Sequence, residues 1–200
     1  GTHLANRLIN SCALCGLCAE ICPNDFSMAA LCLESRRLMV KENRMPPSAY
    51  WFGLEEMQSA RTEGALVCHA PGKSASRVIL FPGCQLAGIR PDQTLRLYRY
   101  LLEVEPQTGI WLDCCGIPAD WAGKEEDFRA ICNELKATWE SLGEPRILTG
   151  CPTCQKMFRE HLPEIDVESV WSVLDGKNFT GSGSKAVLSL SDPCSTRVER

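Results

Sequence analysis

The sequence lacks several features that define common functional classes. Its formal net charge of −4 provides no basic excess of the kind that binds nucleic acid. No apolar run approaches the roughly 18 residues that a membrane helix needs, and no signal-peptide pattern opens the chain. There is also no glycine pattern for nucleotide binding and no pair of groups suited to acid–base catalysis. We therefore expect a cytoplasmic protein that neither binds nucleic acid nor spans a membrane.

Cysteine, in contrast, is abundant. The 200 residues include 13 cysteines, an odd number, and several of them have CxxC spacing. A disulfide framework normally occurs in a secreted chain with an even number of cysteines. The cysteine pattern therefore favours thiolate–metal chemistry in a reducing compartment.

Four of the cysteines form one short run near the N-terminus. Cys12, Cys15, Cys18 and Cys22 have the CxxCxxCxxxCP spacing of bacterial-type ferredoxins. Three thiolates at successive three-residue steps can hold three corners of a cubane cluster, whereas structural zinc sites usually pair two separated CxxC knuckles. The run therefore predicts an iron–sulfur cluster. Its fourth ligand is left open between Cys22, Cys68 and a cysteine upstream.

The residues after this run predict a helical unit. We expect Asn24-Asp25 to cap a helix that ends near Lys41, with Cys32 as a small buried hydrophobe and Arg36-Arg37 on a solvated face. The segment 71–76 has the composition of a linker. We therefore predict a mostly α-helical domain over residues 1–76.

From residue 77 onwards, apolar runs alternate with helical patterns and each apolar run is followed by cysteine. The runs and the cysteines that follow them are 78–81 with Cys84, 109–112 with Cys114 and Cys115, and 146–148 with Cys151 and Cys154. Strands that alternate with helices predict a parallel sheet, so the second domain, residues 77–200, is expected to be α/β and the whole chain α+β. The expected helices run from Pro91 through Val104, within 119–142 and from the Cys151–Cys154 motif to His161, and a further strand is expected at 186–190. Ligands of open α/β sheets bind at the carboxyl ends of the strands.

These strand ends would bring five soft ligands to one place, which predicts a metal-cluster site. Zinc needs only four thiolates, so five mildly favour an iron–sulfur cluster over a structural zinc ion. A further alternative is a redox dithiol formed by Cys151 and Cys154, because the CxxC spacing is shared with thioredoxin-like proteins.

The cysteine motifs also carry a family resemblance. The series Pro-Gly-Cys84, Cys114-Cys115-Gly116 and Cys151-Pro-Thr-Cys154 resembles the cysteine-rich CCG domain of heterodisulfide reductases. Similar domains occur in an iron–sulfur component of anaerobic glycerol-3-phosphate dehydrogenase and in iron–sulfur proteins of lactate and glycolate oxidation. The N-terminal run is similar to the helical ferredoxin unit that accompanies such domains.

The resemblance implies two cofactors and a role in electron transfer. The N-terminal run would hold a cubane [4Fe-4S] cluster, and the CCG motif a non-cubane [4Fe-4S] cluster. The chain would then be an oxidoreductase component that exchanges electrons with a flavoprotein or ferredoxin partner and works with other subunits or domains.

Family members carry two CCG motifs. Asp192-Pro193-Cys194 matches the opening of a second motif, which makes Cys194 a further candidate ligand. The chain begins without Met and ends shortly after this cysteine. We therefore expect it to be part of a longer polypeptide.

Overall fold

A computed structural model of the protein describes residues 2–24 and 26–176 and divides them into two compact units. The first unit consists of residues 1–58 and 116–131, and the second of residues 59–115 and 132–200, as far as these are described. Both helix and strand are present, as predicted. Cys194 and the strand predicted at 186–190 lie outside the described residues. The predicted domain boundary at residue 76 stays a prediction.

The described residues begin with four helices, and strands alternate with helices only from residue 78 onwards. The helices are α1 Thr2–Ser11, α2 Leu17–Glu20, α3 Met28–Lys41, α4 Trp51–Arg61, α5 Cys84–Ile89, α6 Pro91–Val104, α7 Ile117–Trp121, α8 Glu125–Ser141, α9 Pro152–His161 and α10 Val170–Gly176. The strands are β1 Leu66–Cys68, β2 Val78–Phe81, β3 Thr108–Leu112, β4 Arg146–Thr149 and β5 Val167–Ser169. None of the helices in the described residues is both long and apolar enough to cross a membrane.

The strands form one sheet in the order β1-β3-β2-β4-β5. The β2 strand pairs in parallel with both β3 and β4, and β5 pairs in parallel with β4. Of these five strands only β1, an edge strand that the sequence analysis did not predict, is antiparallel. From β2 the chain therefore continues to β3 on one side of β2, and then crosses to β4 on the other side. Such a switch point is where open α/β sheets bind ligands.

An aromatic cluster packs just before the strands end. The ring of Phe81 contacts those of Trp111 and Phe158 edge to face, with centroids 5.3 Å apart in both pairs. All three side chains are fully buried. Because β2, β3 and α9 contribute one ring each, this packing holds together the elements that lead into or follow the cysteines.

The long helix predicted within 119–142 is two helices, α7 and α8. Gly123 lies between them with φ +78°, and a Cβ at this position would meet the backbone of Arg36 at 2.5 Å. This left-handed conformation ends the first helix, and only glycine fits so close to another backbone.

The predictions for α3 were wrong in two respects. Its N-cap is Ser27, whose side chain accepts a hydrogen bond from the Ala30 amide, rather than Asn24-Asp25. Arg36 was expected on a solvated face but is only 1% exposed, and it lies on the buried side of the helix with Cys32 and Met39. The sequence pattern placed Arg36 on the wrong side of α3 because arginine is rarely fully buried, so it was assigned to the surface.

A substitution of Gly109 tests how tightly the central strands pack. A Cβ at this position would lie 2.5 Å from Cδ1 of Ile79 and 2.6 Å from the carbonyl oxygen of Cys68. We expect Gly109→Ala to lower the free energy of unfolding by about 1–3 kcal/mol, as overpacking of a core does. Urea unfolding followed by circular dichroism measures this change.

Gly88→Ala provides the matched control, because Gly88 lies in α5 and has no atom within 4 Å of the added Cβ. This variant should keep or gain stability, by up to about 1 kcal/mol. Equal losses in the two variants would contradict the packing described for β3.

Candidate metal centres

The second unit brings the five cysteines of the CCG motif together. The Cys84 thiol hydrogen-bonds with Cys114 and interacts electrostatically with Cys151. Cys151 hydrogen-bonds with Cys154, which in turn hydrogen-bonds with Cys115. The predicted convergence of these thiols at the ends of β2, β3 and β4 therefore agrees with the thiol contacts in the structure.

Glycine at position 83 allows two of the motifs to approach closely. Gly83 has φ +82°, and a Cβ on it would lie 3.0 Å from Cβ of Cys151 and 3.1 Å from Sγ of Cys154. Any larger residue would push the Pro-Gly-Cys84 turn away from the start of α9. Glycine before Cys84 is therefore a geometric requirement of the thiol group.

A half-buried ion pair holds the Cys114-Cys115 turn in place. The guanidinium of Arg61 donates to Oδ1 of Asp113 at 3.1 Å, to the carbonyl oxygen of Cys114 at 3.0 Å and to Glu134 at 2.5 Å. Oδ1 of Asp113 accepts from the Cys114 amide at 2.7 Å. Burial raises the pKa of Asp113, and the nearby Arg61 charge opposes that shift. The sequence analysis did not identify Arg61 or Asp113, since only the folded chain brings them together.

The thiols differ in acidity because of their positions. The hydrogen bond from Cys154, together with the amides of Cys154 and Thr153 at the start of α9, lowers the pKa of Cys151 to about 6 despite its burial. Hydrogen bonds with Cys115 and Cys151, and then burial, raise the pKa of Cys154. The hydrogen bond with Cys114, followed by burial, raises the pKa of Cys84.

The donor set suits a soft metal or an iron–sulfur cluster. Five thiols are connected, three of them fully or almost fully buried, and a nearby carboxylate, Asp113, is held by Arg61. Within residues 2–24 and 26–176, no three His, Cys, Asp or Glu side chains already have the arrangement that holds a metal ion. The thiols instead hydrogen-bond with one another, and binding a metal would release their protons.

The N-terminal cysteine run lies in the first unit and extends from the end of α1 through α2 to Cys22. Leu14 has φ +53° and Gly16 has φ +77°. Left-handed residues of this kind turn backbone N–H groups towards one side, as happens around many iron–sulfur sites. A non-glycine residue in this region is costly and often marks a functional site.

The contacts within this run include a cysteine that the sequence analysis assigned to the core. Cys32, on α3, is buried as expected, but its thiol hydrogen-bonds with Cys12 and also interacts with Cys18. Its pKa is raised first by burial and then by Cys12. The signal available in the sequence was a cysteine on the α3 helix that follows the run.

The other candidate ligands have different surroundings. Cys15 and Cys22 are half-buried, and the Cys22 amide donates to the carbonyl oxygen of Ala19 at 3.3 Å. Cys68 is exposed at the end of the edge strand β1, opposite Ile110 of β3. Each remains a predicted ligand.

The fold and the thiol group together define a cysteine-rich domain built on the strand ends of an open sheet. Residues 78–159 match the family model of the CCG cysteine-rich domain. This match confirms the resemblance to a CCG domain that the motifs at Cys84, Cys114-Cys115 and Cys151–Cys154 carry, and the N-terminal ferredoxin-like run lies outside it.

A curated relative is similar over most of the chain. It is the B subunit of the fumarate reductase (CoM/CoB) of Methanothermobacter marburgensis, 28% identical over 176 residues that cover 84% of this chain. The match spans only 35% of the relative, so the chain corresponds to about a third of that protein's length. No solved structure matches significantly. The family and the relative support an iron–sulfur redox component.

The acidity of Cys151 can be tested in cluster-free protein. We expect its alkylation by iodoacetamide to accelerate as the pH rises through about 6 and to level off above it, because the thiolate is the nucleophile. Peptide mass spectrometry after timed alkylation measures the rate. Cys154→Ala removes the hydrogen-bond donor and should move the midpoint upwards. A midpoint near the ordinary thiol value of about 8.5 in the wild type would contradict the described contacts.

Proposed function

We propose that the chain is an iron–sulfur electron-transfer component of a heterodisulfide-reductase-like oxidoreductase. The observation that carries this proposal is the connected group of five thiols at the strand ends of the CCG domain. Such a group supplies more soft ligands than a zinc ion uses. A non-cubane [4Fe-4S] cluster held by Cys84, Cys114, Cys115, Cys151 and Cys154 would accept and release electrons at this site.

The N-terminal run would hold a second, cubane [4Fe-4S] cluster. Cys12, Cys15 and Cys18 are its proposed ligands, and the ferredoxin spacing supports them. The contact between Cys32 and Cys12 adds Cys32 to Cys22, Cys68 and an upstream cysteine as a candidate fourth ligand. Electrons would pass between a partner, this cluster and the CCG site. The substrate reduced or oxidised there would be a disulfide, its thiols or another small redox compound.

The partner is proposed to be a flavoprotein or ferredoxin, together with other subunits or domains of a redox complex. The relative's name describes a subunit, which supports an assembly of several chains. The exposed apolar side chains of Leu4 and Leu8, one helical turn apart on α1, also suit a protein partner.

A second candidate function is thiol–disulfide exchange by Cys151 and Cys154. The observation that favours it is the lowered pKa of the half-buried Cys151 beside the buried Cys154. Zinc at the CCG site would leave a structural role instead. The metal content distinguishes the three functions, which require an iron–sulfur cluster, zinc and a metal-free dithiol. A bound cluster also protects both thiols from alkylation.

Anaerobic purification with iron, sulfide and zinc analysis tests the leading proposal. Wild-type protein should contain iron and acid-labile sulfide at both sites, and Cys114→Ser should lose those of the CCG site. Cys132→Ser is the control, since Cys132 is a buried cysteine of the same unit on α8. Stoichiometric zinc without iron would contradict the proposal.

A substitution of Cys32 tests whether its thiol is the fourth ligand of the N-terminal cluster. If its thiol is the fourth ligand, Cys32→Ser should convert the cubane cluster to a three-iron form, which electron paramagnetic resonance detects. The matched control is again Cys132→Ser, because both cysteines are buried on helices. An unchanged cubane signal in Cys32→Ser would return the fourth ligand to Cys22, Cys68 or an upstream cysteine.

A further inference from the structure

The first unit contains a buried cation beside its cysteine run. Arg36 is 1% exposed. Its guanidinium donates to the carbonyl oxygen of Ile9 at 2.8 Å and 3.2 Å, to that of Cys12 at 2.5 Å and to that of Trp121 at 2.9 Å. It also lies 4.9 Å above the ring of Tyr50. The charge is therefore held rigidly where α1 ends and the cysteine run begins.

The partners of Arg36 provide hydrogen bonds but no opposite charge. All its acceptors are backbone carbonyls, and no carboxylate pairs with it in the part of the chain that the structure describes. The carbonyls at the end of α1 and the Tyr50 ring offer only partial negative charge. A buried ion without a counter-charge is strongly unfavourable, so such an ion is normally found with an anion.

Two other arginines, Arg37 and Arg61, are paired with carboxylates. Arg37, the next residue of α3, donates to Asp120 at 2.9 Å and to Glu34 at 2.6 Å, so two carboxylates balance it. Arg61 of the second unit, which contacts the carbonyl of Cys114 much as Arg36 contacts that of Cys12, is balanced by Asp113 and Glu134. Arg36 alone among these three is held without a carboxylate.

The thiols next to Arg36 are candidates for the strong negative charge that it lacks. Cys32 is one turn before Arg36 on the same side of α3, and its thiol experiences the Arg36 charge. That thiol hydrogen-bonds with Cys12, whose carbonyl Arg36 binds. A thiolate-ligated cluster at Cys12, Cys15 and Cys18 would carry net negative charge within reach of the guanidinium.

We propose that Arg36 is the counter-charge of the N-terminal iron–sulfur cluster and raises its reduction potential. This inference rests on the proposed function, since it requires a cluster at the N-terminal run. One-electron reduction adds one negative charge to the cluster, and a fixed cation nearby stabilises the reduced form more than the oxidised form. Net charge and hydrogen bonding are established determinants of cluster potentials. Arg36 is thus a positioning residue that acts through its charge and through the Cys12 carbonyl.

An anaerobic redox titration of the whole chain, followed by electron paramagnetic resonance, tests the proposal. Arg36→Gln should lower the midpoint potential of the N-terminal cluster by about 59 mV or more, which is a tenfold weaker equilibrium constant for one-electron reduction. Arg37→Gln is the matched control on the same helix and should change that constant less than twofold, because its partly exposed guanidinium is screened by solvent and contacts Glu34 and Asp120 rather than the cysteine run. The CCG site in the same sample provides an internal reference that neither variant should shift.

Arg36→Lys separates charge from structure. It keeps the cation but loses the planar fork that reaches three carbonyls, so the cluster's equilibrium constant should stay within about threefold of the wild type. If the midpoint potential of Arg36→Lys falls as far as that of Arg36→Gln, Arg36 has a purely structural role and the proposal is overturned. Failure of both variants to fold, as measured by circular dichroism, would have the same meaning.

The outcome also separates this inference from the proposed function. If the wild type lacks iron at the N-terminal cysteines, the role of Arg36 and the N-terminal cluster of the proposed function both fail. If the wild type holds the cluster and Arg36→Gln leaves its potential unchanged, only the role of Arg36 is overturned.

Discussion

The candidate CCG site depends on the parallel pairing of β2 with β3 and β4. In this register the three strands end at the same edge of the sheet, and each is followed by cysteine. An antiparallel pairing of any one of them would place its cysteine at the opposite edge. The aromatic packing around Phe81 and the close approach at Gly83 then bring the thiols into contact. The chemistry of the site is therefore a consequence of strand direction.

Arginine contributes to both cysteine regions by holding the carbonyl of a cysteine. Arg61 binds that of Cys114 within a network of two carboxylates, so nearby negative charge offsets the guanidinium. Arg36 binds that of Cys12 with a charge that no described carboxylate balances. The same geometric device therefore produces two electrostatic environments. If the two proposed clusters are bound, these environments would favour different reduction potentials.

Much of the fold followed from local pattern. The apolar runs predicted β2, β3 and β4 nearly to the residue, and Pro91 and Pro152 were accompanied by the helices expected after them. The edge strand β1 was missed because its three residues are exposed and carry no alternating pattern. The break at Gly123 was missed because its cause is a distant backbone, that of Arg36.

The sequence by itself determined which cysteines follow the three central strands, because cysteine spacing and strand-end position are local properties that require no knowledge of distant contacts. It also identified every residue of the five-thiol group. Only the tertiary structure decided which other groups face these thiols. Cys32, Arg36 and Arg61 lie far from their partners along the chain, and their patterns are those of ordinary core or surface residues. Their roles arise from burial and from neighbours that folding brings together.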